Sequence, residues 1–418
     1  MSCDVYIAGG AHTRFGAHVQ RDRETGVRTD THPVQQMFAE VVAGALADAN
    51  VEAGQADGIF VGSCSPGAFI QQELLAPLAL QSESGLRFAS LSQSTAACAS
   101  GSVALFAAAD AIQAGRAQVA LVIGIEKMNL LDTPAVSDIL ARCSYWPEEG
   151  GQGMTFPGLF AQLGDNYRLQ HGIGAARYRE MLAAVSAANY RNGIHNPLAH
   201  FGPGSIPDKK KLLSTQAILE LPAEKNPVIA PPLHLHDCSP ISDGAAALVL
   251  VAKPGQARKG RNEVMIAGRH TATEFLPIAA RPKNYTLEGA QYAAAAACRE
   301  AGISVADLDL AEVHDCFTSN QLLCVEALGL SDQGCAGEDY LAGAYGESSK
   351  CKVNLSGGLK SKGHPVGATG VSMHYFAWRQ LAGDAVGVAH PRNPEHAAVL
   401  NLGGSGVVNC ASVLRAVR

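Results

Sequence analysis

One cysteine stands where a helix is expected to begin. In Gln93-Ser-Thr-Ala-Ala-Cys98-Ala-Ser-Gly101 the thiol precedes a run rich in Ala, Val, Leu and Phe, Ala99 to Ala114, which Gly115 would stop. A thiol in that place meets unpaired backbone N–H groups and the positive end of the helix dipole. Both favour the thiolate, which is the nucleophilic form. The small neighbours Ala96, Ala97, Ala99, Ser100 and Gly101 leave room for a carbonyl group to approach. Taken alone, such a cysteine more often packs as a small buried hydrophobe.

Two distant stretches change that reading: His314-Asp315-Cys316-Phe317 and Gly363-His364-Pro365. The second lies in Gly357-Gly358-Leu-Lys-Ser-Lys-Gly363-His364-Pro365-Val-Gly367-Ala-Thr-Gly370. Its glycines permit unusual turns and close backbone approach, and Pro365 suits the first turn of a helix, so His364 would project from a rigid helix entrance. The first stretch ends an apolar segment, Leu308–Val313. Strand ends facing a crevice are where open α/β sheets place reactive groups, and side chains two apart on extended backbone point the same way. His314 can then donate a hydrogen bond and Cys316 can exchange a proton.

Elements able to position these groups recur in order. Pro33 to Asn50 has helical spacing, with Val34, Met37, Phe38, Val41, Val42, Ala45 and Leu46 near one face. Val5–Gly9, Gly58–Gly62, Phe88–Leu91 and Gln118–Gly124 read as strands, Gln71 to Gln81 as a helix, and Arg14 to Thr31 as a loop. From Glu126 to about Leu235 Pro and Gly break the pattern, with helices surviving at Leu159–Gln170 and Ala175–Asn192. This reads as an inserted loop domain. Ser242-Asp243-Gly244 leads back into a strand, and Lys253 to Asn262 reads as a linker. The second half repeats the first: Ala49 to Cys64 aligns without a gap on Ala301 to Cys316. Two such halves, 1–255 and 256–418, would each carry helix-covered, mainly parallel sheet. Duplication sets Cys98 and His364 at comparable helix starts, so a pseudo-two-fold axis could bring them together.

Composition narrows the function classes. Hydrophobic residues make up 47% and charged residues 17% of the 418, enough apolar surface for a large core. The formal charge of −6 gives no reason to expect nucleic acid. The eleven cysteines include no Cys-x-x-Cys pair, so no metal site is expected and reduced thiols in a cytoplasm are the simplest reading. No apolar segment is long enough to span a bilayer, and Met1-Ser-Cys-Asp4 has no signal-peptide pattern. His234-x-His236-Asp237 looks like a metal fragment, yet Pro231 and Pro232 favour a structural loop. Lys209, Lys210 and Lys211 fit a solvated loop, or contacts to phosphates.

The motifs together resemble the thiolase superfamily, most closely its sterol-carrier-protein type. The resemblance rests on Cys98-Ala-Ser-Gly101, Gly124-Ile-Glu-Lys-Met128, Ser242-Asp-Gly-Ala-Ala-Ala247, His314-Asp-Cys-Phe317, Ser356 through Gly370 and Asn401-Leu-Gly403. It implies a thiolase fold: two βαβαβαββ halves stacked as an αβαβα core, with an inserted loop domain at about 126–235. It implies an acetyl-CoA C-acyltransferase of lipid metabolism and β-oxidation, with CoA as co-substrate and no permanently bound cofactor. Cys98 would be the nucleophile, His364 its base, His314 and His364 the enolate donors, and Cys316 the acid/base. Backbone N–H groups of Cys98 and Gly403 would hold the acyl oxygen, and Ser242 would contact the pantetheine arm. Most thiolases carry a C-terminal Cys-x-Gly where this chain has Asn401, and Asn-Glu where it has His314-Asp315. The sterol-carrier type shares both departures. Relatives of this fold are usually homodimers or homotetramers. The rival readings are a β-ketoacyl synthase-like enzyme, a retro-aldolase subunit working with an OB-fold partner, and a non-catalytic scaffold. No fused sterol-carrier domain is expected.

Overall fold

The computed structural model describes residues 4–22, 24–255, 260–346 and 348–417. Ten strands form its main sheet: β1 (Tyr6–His12), β2 (Gly58–Gly62), β3 (Ser90–Ser94), β4 (Val119–Glu126), β5 (Gly244–Val251), β6 (Glu263–Thr273), β7 (Leu310–Val313), β8 (Lys352–Val353), β9 (His396–Gly403) and β10 (Val408–Val417). Their spatial order is β8-β7-β9-β10-β6-β1-β5-β4-β2-β3. Either half therefore runs third-second-fourth-fifth-first. The halves meet edge to edge where Tyr6 of β1 pairs antiparallel with Met265 of β6. The expected duplication is thus present in the topology.

The expectation of mainly parallel sheets needs correction. Only β3-β2-β4 and β8-β7-β9 are parallel; the last and first strands of each half run antiparallel to their neighbours. Only the first three crossovers of each half pass over the sheet with a helix. The final step does not, so the last strand returns in the opposite direction.

Seven longer helices complete the layers: α1 (Val34–Ala49), α2 (Ser100–Gln113), α3 (Phe156–Gln170), α4 (Ala175–Gly193), α5 (Glu288–Ala301), α6 (Thr318–Leu328) and α7 (Thr369–Leu381). α1 buries Met37, Phe38, Val41, Val42 and Ala45 against the first half's sheet and ends at Asn50, which is left-handed. α5 covers β6 and β10 through Ala290, Ala293, Ala294 and Ala297. α2 and α7 lie in the middle layer, and α7 touches both sheets. They cross at backbone distance. A Cβ on Gly101 would stand 2.8 Å from Gly367 O and 2.9 Å from Val371 N, and one on Gly370 would stand 2.3 Å from Ser102 N. The glycines of both motifs are therefore required by contact between the halves.

Local differences from the sequence reading have local causes. The helix expected over 71–81 is reduced to two short pieces, Ala76–Leu78 and Ala79–Ser82, because Gln71 turns left-handed after Pro66–Ile70 and Pro77 enters a 3₁₀ turn. The loop expected over 14–31 holds a hairpin, Val19–Arg21 with Arg28–Asp30. α7 starts at Thr369, so Pro365 does not open the helix; it winds a turn whose carbonyl accepts from Ala368 N and Thr369 N. The insertion runs from the end of β4 to the start of β5 and contains α3 and α4. The linker expected at Lys253 to Asn262 includes 256–259, which lie outside the described residues. Among the described residues no helix is long and apolar enough to cross a membrane.

The crossing of α2 and α7 is testable. Gly101→Val forces the two helices apart and is expected to cost about 3 kcal/mol. Denaturant unfolding should show a lowered midpoint at unchanged slope; an unchanged midpoint would contradict the close crossing.

Candidate active site

The Cys98 turn, the end of β7 and the turn before α7 converge. The Sγ of Cys98 and one ring nitrogen each from His314 and His364 lie within 4.8 Å of one another. The two imidazoles stand edge to face, 5.2 Å between centroids. Cys98, Cys316 and His364 line one cavity of about 410 Å³, whose other walls include Met128, Phe156, Phe160 and Phe317. His314 is fully buried behind them.

Hydrogen-bond polarity assigns the protons. Asn401 Nδ2 donates to the carbonyl oxygen of Cys98 at 3.2 Å, which fixes the orientation of that amide. The same Nδ2 lies 3.0 Å from His314 Nδ1, which must then accept. The proton of His314 is therefore on Nε2, a buried atom with no hydrogen-bond partner among the described residues. His364 is set the other way. Thr369 Oγ1 gives its hydrogen to Pro365 O at 3.0 Å, so it accepts from His364 Nδ1 at 2.7 Å. This leaves His364 Nε2 with a free lone pair. One imidazole offers a donor and the other an acceptor around a single thiol. The trio looks like a metal-ligand set, but His314 presents an N–H and cannot ligate in that state.

The resting thiol departs from expectation. Burial pushes the Cys98 thiol well above the ordinary range, and the nearby Cys143 and Glu126 add to this; only its own backbone N–H opposes. The helix end is thus outweighed by desolvation, and the resting form is the neutral thiol. Burial also lowers His364 to about 3, with the Lys362 ammonium adding to it, so the imidazole is neutral. Cys316 is raised well above its usual value by burial and by Cys98.

Supporting residues went unread in the sequence. The carboxylate of Glu126, at the end of β4, accepts from Ser63 Oγ, from Cys64 N and from Gly367 N, tying the first half to the His364 turn. Asp315 accepts from Leu359 N, Lys360 N and Asn189 Nδ2, fixing the backbone between His314 and Cys316. In the sequence Asn401 stands out only as the place of a missing cysteine. Thr369, five residues after His364, is a signal that its place in the motif could have given.

Other expected contacts sort themselves. Ser242 does not line the cavity: it is buried, bonded to His200 Nδ1 and Pro240 O, and accepts from His364 N. Ser239 lines the cavity instead. Lys209, Lys210 and Lys211 are exposed; Lys211 pairs with Asp208, and Lys210 alone borders a second cavity. Gly403 meets the Cys98 loop, where a Cβ would lie 2.2 Å from Ala96 O. His234, His236 and Asp237 are spent on Asn226, Tyr190, Arg179 and Thr318.

Against this geometry the comparisons are specific. The description "Thiolase, N-terminal domain" matches residues 5–254, and "Thiolase C-terminal domain-like" matches 271–416. An acetyl-CoA acetyltransferase of Methanothermobacter thermautotrophicus is 34% identical over 403 residues, covering 96% of this chain and 97% of that protein. Sterol carrier protein 2 of Oryctolagus cuniculus is 29% identical over 348 residues, 76% of this chain and 59% of that protein. Among solved structures, the Ltp2-ChsH2(DUF35) aldolase superposes with a TM-score of 0.78 at 20% identity, covering 99% of this chain and 98% of that one; this likeness shows the fold. The fold and the family matches define an acyltransferase enzyme. The chain belongs to the thiolase family.

The neutral resting thiol makes a pH prediction. A raised thiol pKa keeps the proton on as pH climbs through the free-cysteine value, so the thiolate fraction grows only above it. Iodoacetamide labelling of Cys98, followed by peptide mass, should still be accelerating beyond about pH 9. A plateau below about pH 8 would show a resting thiolate instead.

Proposed function

We propose that this chain is a thiolase that reversibly cleaves a 3-oxoacyl-CoA with CoA, through an acyl group carried on Cys98. The observation carrying this reading is the opposed proton assignment of His314 and His364 around one thiol. Cys98 passes its proton to His364 Nε2 and its sulfur adds to the ketone carbon. Each charge forms beside its counter-charge, which offsets the desolvation cost of both. Backbone N–H groups of Cys98 and Gly403 hold the alkoxide. When it collapses, the carbon–carbon bond breaks and its electron pair enters the enolate of acetyl-CoA. The enolate oxygen accepts from His314 Nε2–H and from the imidazolium of His364. Cys316, kept as a thiol by burial, protonates the enolate carbon. The incoming CoA thiol returns a proton to Cys316 and its sulfur takes the acyl group. The departing Cys98 sulfur recovers its proton from His364. In reverse the same groups run a Claisen condensation.

Ten free thiols among the described residues support a reducing compartment, the cytoplasm. We also read the chain as a homo-oligomer: β3 is an edge strand, beside which Phe88 is 88% exposed.

Intact mass after mixing with acetoacetyl-CoA tests the acyl-enzyme. The native chain should gain an acetyl increment that free CoA removes, and Cys98→Ala should gain none. No increment on either chain with any 3-oxoacyl-CoA would sink the reading. Cys316→Ala should keep the exchange of acetyl groups between CoA molecules, in which no α-proton moves and His364 can carry the one thiol proton between the sulfurs, and lose deuterium uptake into acetyl-CoA.

Asn401→Asp tests the polarity. An acceptor in place of the amide donor moves the His314 proton to Nδ1 and removes the enolate donor. The expected loss in kcat is about 10²-fold, with KM changing much less. A change confined to KM would assign Asn401 to substrate binding.

A further inference from the structure

A second cavity of about 620 Å³ shares the wall Leu235, Cys238, Ser239 and Pro240 with the reaction cavity. Its charge is one-sided: Lys210, Lys225 and Lys360 line it, His236 beside them is kept neutral by burial, and no Asp or Glu among the described residues lines it. Lys360 is the unusual member. Its side chain is buried, 1% exposed for the residue. Its ammonium lies 4.2 Å from the Tyr190 ring centre and 5.6 Å from that of Phe201. It donates to Tyr190 Oη at 2.6 Å, and Tyr190 passes its own hydrogen to His236 Nδ1 at 2.8 Å. Among the described residues the ammonium makes no ion pair and has no other acceptor. The nearby acids are committed elsewhere: Asp237 to Arg179 and Thr318, and Asp315 to backbone N–H groups. Burial lowers the ammonium only to about 8, so it remains mostly charged at neutral pH. A buried cation with two free N–H bonds, in a chamber whose described wall carries no acidic side chain, is costly unless an anion completes it.

We infer that this chamber receives a carboxylate carried on the acyl part of the substrate, so that the preferred substrates are CoA thioesters of 3-oxo dicarboxylic acids. The inference rests on the thiolase reading. Ile206, Leu212 and Leu221 suit the methylene chain, Lys360 is the buried partner of the carboxylate, and exposed Lys210 and Lys225 attract it at the mouth. The other anion an acyl-CoA could bring is a phosphate of CoA itself, and the experiment separates the two.

Thiolytic cleavage is compared for 3-oxoadipyl-CoA and 3-oxosuberyl-CoA against 3-oxohexanoyl-CoA and 3-oxooctanoyl-CoA, which end in methyl instead of carboxylate. The native chain is expected to favour the carboxylates about tenfold or more in kcat/KM, and Lys360→Met to bring the ratio to about one. Lys225→Ala, an exposed change that spares the core, should lower the ratio about twofold. Equal values for both series in the native chain would overturn the inference and leave the thiolase reading standing. A Lys360→Met loss shared equally by both series would also overturn it and give the chamber to the phosphates. If no 3-oxoacyl-CoA is cleaved, the thiolase reading fails. Calorimetry with suberyl-CoA and octanoyl-CoA then decides the chamber: tighter suberyl-CoA binding that Lys360→Met abolishes supports it, and equal binding refutes it.

Discussion

The site depends on two halves of one chain touching backbone to backbone. The thiol comes from the first half, and His314 and His364 come from the second. The close packing of α2 on α7 at Gly101 and Gly370 sets their separation, and the Glu126 carboxylate sets their register by binding Cys64 N and Gly367 N together. Burial raises that carboxyl to about 7, while the backbone N–H bonds pull the other way. A side chain kept in so unfavourable a place has a positional role that an apolar residue could not fill, because only an acceptor can hold two backbone donors.

On that frame, chemistry is written by hydrogen-bond direction rather than by residue type. Two histidines beside a thiol are compatible with a metal site, an ion pair or a donor–acceptor pair. Asn401 and Thr369 decide among these. An amide nitrogen can only donate and a hydroxyl has one hydrogen, so each neighbour leaves its imidazole a single tautomer. The absence of the C-terminal cysteine at position 401 then has a physical consequence. The amide that stands there orients His314 and binds the Cys98 carbonyl in one stroke.

Much of this was legible in the chain. The gap-free match of Ala49–Cys64 to Ala301–Cys316 follows from α1 and α5 ending, and β2 and β7 beginning, at equivalent places. The residues brought to one point were those whose motifs stood out. What stayed hidden depends on distant neighbours. The direction of β5 and β10 depends on how the chain returns across the sheet. The protonation of Cys98 depends on how much water the completed fold excludes. Ser242 and Ser239 are three residues apart in one turn, and only the cavity distinguishes them. Lys360 sits inside a recognised motif, yet nothing in its neighbours along the chain predicts a buried ammonium.

The same exclusion of water explains why the resting site is electrically quiet. Cys98 and Cys316 are held as thiols and His364 as neutral imidazole, each shifted by burial away from its charged form. A standing thiolate would need a standing counter-charge, and the cavity offers none close by: the nearest carboxylate works against it. In the proposed mechanism, charge separation is favourable only when a substrate carbonyl is present to take the sulfur's electron pair and N–H donors face the oxygens that become negative. Lys360 and Lys362 are the exceptions, ammonium groups that burial lowers only to about 8, and of the two Lys360 lines the second cavity. What distinguishes Lys360 is its place in the wall of a cavity that no acidic side chain among the described residues lines, and that placement is the ground for proposing an anion there.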